Sequence, residues 1–169
     1  MAKWVYIVHK IDALSDWSGK VFSFLIYVII GTMVFEVVSR YVFNSPTIWA
    51  METTTMLFGI FGLGAGVYTH FRRAHIRMDV FYTRWSERTK AIVDACSFPL
   101  FLTICGVLLW KSGLYAWNAC VIWEHSVTAW GPPTYPVKIM IPVIVFLMIL
   151  QGISQFIRNL TVAVGKRLP

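Results

Sequence analysis

Four apolar runs, each long enough to cross a bilayer, constrain this chain more than any other feature. Residues 21–39 form a run interrupted only by Glu36, and residues 53–71 carry no side chain that is fully charged at neutral pH. A third run covers residues 95–110 and continues past Lys111 through SGLYAWNACVIW; a fourth covers residues 139–156. An α-helix rises about 1.5 Å per residue, so about 20 residues cover the roughly 30 Å of hydrocarbon in a membrane. A helix also satisfies its backbone polar groups internally, which hydrocarbon demands. The expected fold is an all-α integral membrane protein with transmembrane helices over about 21–39, 50–71, 94–117 and 137–157, in one domain of residues 1–169. Pro99 and Pro142 fall inside runs and are read as kinks rather than breaks, because neighbouring helices satisfy the carbonyls they free.

Composition supports this: 57% of the 169 residues are hydrophobic and 14% charged, with a mean hydropathy of +0.65 that few soluble domains of this length could carry. The net charge of +7 is scattered in short blocks rather than gathered on one solvated face, which argues against nucleic acid as a partner. Twelve of the fifteen Lys and Arg residues lie before the first run, between the second and third, or after the fourth; the exceptions are Arg40, Lys111 and Lys138. The positive-inside rule then places both termini in the cytoplasm. The opening MAKWVYIVHKIDALSDW has an apolar run of only five residues, shorter than the roughly 7 to 15 of a signal peptide, so it is expected to be retained. The loop WNACVIWEHSVTAWGPPTYP falls outside, with Trp117, Trp123, Trp130 and Tyr135 at the height of an aromatic belt.

Two further segments are amphipathic. Over about 3–17, Trp4, Ile7, Val8, Ile11, Leu14 and Trp17 recur at helical spacing; over about 78–90, Met78, Phe81, Tyr82 and Trp85 do the same. Both are expected to lie in the interface plane, the second with the alternative of folding back onto the protein. Arg72, Arg73 and Arg77 suit anionic lipid headgroups, His75 and Asp79 stand one turn apart, and Trp4, Trp17 and Trp85 complete a candidate membrane-surface set.

The marks of catalysis are missing. Cys96, Cys105 and Cys120 form no CxxC, and the first two lie nine residues apart, about 13 Å of helical rise, beyond disulfide reach. His70 is the only histidine within a run, no Ser, His and Asp set shares a depth, and no phosphate-cradling loop occurs. No cofactor, metal or substrate site is expected. Glu36 could serve a proton-coupled carrier of the small multidrug type. It lies about 9 Å outward of the centre of its span, however, and four residues before Arg40, a spacing that suits an intrahelical ion pair. Gly62 and Gly66 form a small-xxx-small pair that lets another helix approach closely, either within this chain or from a partner.

The turn RYVFNSPTIWAME between the first two runs, followed by RRAHIRMDV after the second, resembles the small membrane (Q, or DctQ-type) subunit of tripartite ATP-independent periplasmic (TRAP) transporters. The resemblance implies a bacterial inner-membrane scaffold rather than an enzyme. It would grip the stationary part of a large membrane subunit, a separate chain that moves an organic acid inward with sodium. A periplasmic solute-binding protein would deliver the cargo. The turn then becomes an assembly joint, with Glu36, Arg40 and Glu52 within mutual reach, Asn44 and Pro46 setting the turn, and Trp49 among its headgroup anchors. Partners are thus the large subunit, the binding protein and membrane lipids.

Overall fold

The computed structural model describes residues 2–71 and 87–163. Four α-helices follow in order: α1 (Ala2–Tyr41), α2 (Trp49–Phe71), α3 (Glu87–Val121) and α4 (Tyr135–Ala163). All four contain stretches long and apolar enough to span a membrane. Pro99 and Pro142 lie inside continuous helices.

Helix α1 departs from the sequence expectation. Residues 3–17 are not a separate interfacial element but the first part of one 40-residue helix, about 60 Å long. Nothing between residues 17 and 21 breaks it: Gly19 is accommodated because Tyr68 packs where its Cβ would be. The first half stands against α4, held by Asp12 and Ser15. The segment 78–90 lies outside the described residues except for 87–90, which open α3.

The helices alternate in direction. Along α1, Gly19 meets Tyr68, Phe22 meets Gly64, and the Thr32 and Thr54 hydroxyls lie 3.0 Å apart, so α1 and α2 are antiparallel. Phe98 stacks on Phe156 with ring centroids 4.2 Å apart, Phe101 covers Gly152, and Lys138 lies over the Tyr115 ring, so α3 and α4 are antiparallel too. The two hairpins meet chiefly through α2 on α4, and α1 also touches α4. Phe22, Val67 and Ile144 form the shared centre, with Leu25, Ile60 and Met148 around it. Both hairpin loops, 42–48 and 122–134, therefore lie at one end of the bundle.

Outside this thin core many large apolar side chains face outward. Phe24, Tyr27, Leu100 and Trp110 are each at least 65% exposed, a surface that water disfavours and lipid tails accept.

Candidate functional site

The bundle concentrates its polarity in three joints. The first is the turn after α1. Asn44 takes a left-handed backbone (φ 52°), which asparagine tolerates better than most residues, and the Ser45 N–H closes onto the Ser39 carbonyl at 2.9 Å. Pro46 then offers no donor, and the chain folds back so that Thr47 faces α1. Glu36 is the acceptor at the centre, with only 5% of its surface exposed. Arg40 donates to its Oε1 from Nε at 3.1 Å and from Nη2 at 2.5 Å. The Thr47 N–H donates to Oε2 at 3.1 Å, and the Thr47 hydroxyl donates to the same oxygen. A buried carboxylate is thus held by four donors from two sides of one turn, which satisfies the rule that buried charge needs a partner and hydrogen bonds.

Glu52 is not part of this set. Its carboxylate sits in the first turn of α2, where the positive end of the helix dipole favours it, and accepts from the Thr128 hydroxyl at 2.6 Å. Expected reach between Glu52 and Arg40 is replaced by a tie between the start of α2 and the 122–134 loop. Trp49 opens α2 and packs against Phe35, ring centroids 5.6 Å apart.

The second joint closes the 122–134 loop. Lys138 Nζ donates to both Glu124 oxygens, at 2.5 and 2.6 Å, and lies 4.1 Å from the Tyr115 ring centre. The Thr134 N–H donates to the Glu124 carbonyl, and the Ser126 N–H to the Pro132 carbonyl, each at 2.9 Å.

The third lies at the opposite end, where α1 meets α4. Asp12 Oδ1 accepts from the Ser154 hydroxyl at 3.0 Å and from Gln151 Nε2 at 3.3 Å, while Oδ2 accepts from Arg158. The Ser15 hydroxyl donates to Gln151 Oε1 at 2.7 Å. Sequence reasoning missed this seam, because the partners of Asp12 and Ser15 are more than 130 positions away. The one available signal was polarity itself, a serine and a glutamine within otherwise apolar stretches.

The glycine motif behaves differently from its internal-packing reading. A Cβ at Gly62 or Gly66 would meet nothing within 4 Å, whereas one at Gly64 would lie 2.3 Å from the Phe22 ring. The close approaches inside the bundle fall at Gly19, Gly64 and Gly152, and Gly62 and Gly66 lie on a bare side of α2. On the membrane-surface side, Trp17 is 65% exposed, and Trp4 belongs to α1. Arg72, Arg73, His75, Arg77, Asp79 and Trp85 lie outside the described residues. Among the described residues no group of His, Cys, Asp and Glu side chains is arranged to hold a metal ion, and the three cysteines are free.

Fold and site together define a class: a multi-pass helical membrane protein whose buried polar groups join its own segments. Residues 29–162 match the family described as Tripartite ATP-independent periplasmic transporters, DctQ component. The chain belongs to that family, and so is the small membrane subunit of a tripartite transporter. No curated protein and no solved structure matches it.

Proposed function

We propose that this chain is the scaffold, or stator, of a sodium-driven TRAP transporter that imports an organic acid such as a dicarboxylate or a sialic acid. In this reading it sits in the bacterial inner membrane with both termini in the cytoplasm. It supports a separate, elevator-type large subunit, and a periplasmic binding protein delivers the cargo. The observation that carries the reading is the state of Glu36. A carrier that used this carboxylate would have to release and rebind a proton or cation on it, yet all four of its hydrogen bonds come from Arg40 and Thr47. An acceptor so enclosed serves better as a joint than as a relay, which favours the stator over a small multidrug-type carrier. The bare stripe of α2, with Gly59, Gly62 and Gly66 open to approach, supports docking of a partner helix.

The test is co-purification. The tagged chain should retain the large subunit through detergent extraction, and Gly62→Leu with Gly66→Leu should reduce that retention severalfold while the chain alone keeps its melting temperature. Full retention by the double variant would remove the α2 stripe from the interface. Failure of the wild-type chain to retain the large subunit would remove the stator reading itself.

A further inference from the structure

An open groove of about 280 Å³ runs between α1 and α2 below the first hairpin loop. Met33, Val37 and Met51 give it apolar walls, Thr54 lines its side, and Arg40 and Tyr41 stand at the end nearest the loop with the Glu36 carboxylate that Arg40 pairs. The volume lies just under the roughly 300 to 1,000 Å³ of drug-sized pockets, so it takes part of a larger molecule rather than a whole one. From Arg40 down to Met33 is seven residues, about 10 Å along the helix axis.

The polar end is only partly engaged. Arg40 gives Nε and one N–H of Nη2 to Glu36, which leaves the rest of its five donors pointing elsewhere, and its side chain is 46% exposed. The Tyr41 side chain is also open, at 78% exposure. Both residues sit at the hairpin-loop end of the apolar stretch of α1, which closes at Tyr41. Donors at the end of an apolar stretch, above an apolar channel, suit a phosphate diester carrying an acyl chain.

We infer that the groove binds a phospholipid of the leaflet on the hairpin-loop side. The phosphate accepts hydrogen bonds from Arg40 and Tyr41, and the upper part of one acyl chain lies against Met33, Val37 and Met51. Because Glu36 neutralises Arg40, the site selects a phosphate with a chain below it rather than net negative charge. A zwitterionic phospholipid therefore suffices. The inference rests on the chain crossing a membrane, and not on its role beside a large subunit.

Native mass spectrometry of the delipidated full-length chain tests this, with phosphatidylethanolamine, phosphatidylglycerol and inorganic phosphate added separately. One phospholipid should be retained, with similar affinity for both headgroups, and inorganic phosphate should not compete. Met51→Trp fills the groove from the α2 side while leaving Glu36, Arg40 and Thr47 in place, and should weaken retention at least about tenfold, or 1.4 kcal/mol. Arg40→Gln should do likewise, while Leu100→Trp on the exposed face of α3 should leave it unchanged. Equal retention by wild type and Met51→Trp would overturn the inference. So would competition by inorganic phosphate, or loss of the retained lipid when the large subunit is added, which would make the groove a socket for the partner.

Discussion

Replacing Ser15 and Gln151, singly and together, probes the seam that holds the first half of α1 upright. Ser15→Ala deletes the hydroxyl that donates to Gln151 Oε1 at 2.7 Å, and the two residues are 2% and 1% exposed. The stranded amide oxygen has no water to turn to. A buried acceptor left unpaired costs about 1 to 3 kcal/mol in soluble proteins, while interhelical bonds in membranes average about 0.6 and reach about 1.7. A loss of about 1 to 2 kcal/mol is expected, or about 2 to 8 °C in Tm for a chain of this size. Gln151→Leu also removes the Nε2 donor to Asp12, which keeps Ser154 and Arg158. Once Gln151 is gone, deleting the Ser15 hydroxyl strands nothing. The double variant should therefore be more stable than the sum of the singles by about 1 kcal/mol, read from equilibrium unfolding in mixed micelles. Additivity within about 0.3 to 0.5 kcal/mol would refute the seam and return residues 3–17 to the membrane surface.

Three further outcomes follow from other joints. Gly64→Ala would place a methyl carbon 2.3 Å from the Phe22 ring, so it should destabilise the chain by about 1 to 3 kcal/mol, while Gly62→Ala should leave its unfolding midpoint unchanged. Thr47→Val keeps the shape of the turn but removes one of four donors to Glu36; it should weaken co-purification with the large subunit less than Arg40→Ala does, and equal losses would contradict the shared-acceptor geometry. A reporter active only outside the cytoplasm should be silent when fused after Pro169 and active after Asn44 or Thr128; activity after Pro169 would reverse the orientation.

The sequence made some of this architecture legible and hid the rest for physical reasons. Run length and hydropathy depend on the chain alone, so the four spans could be read directly. The Glu36 and Arg40 pair was legible because it is local, one helical turn apart. Thr47 was not, since its approach depends on how residues 42–46 reverse the chain. The partners of Asp12 were hidden because periodicity tells which residues share a face and not what covers it; here α4 covers it. Glu52 was assigned to the wrong neighbour by proximity in sequence, whereas Thr128, 76 positions away, supplies the donor. The glycine motif identified a bare face of α2, but the tight contacts went to Gly64, where Phe22 happens to pack.

The stator claim is tested most directly by transport. The purified chain alone in liposomes should take up neither organic anions nor lipophilic cations under any ion gradient. Adding the large subunit and the binding protein should establish sodium-driven uptake of an organic acid. In that complete system Arg40→Ala should lower the amount of working transporter while leaving the sodium dependence and apparent solute affinity at wild-type values. Proton-driven movement of a lipophilic cation by the chain alone, abolished by Glu36→Gln, would contradict the account and make Glu36 a carrier site.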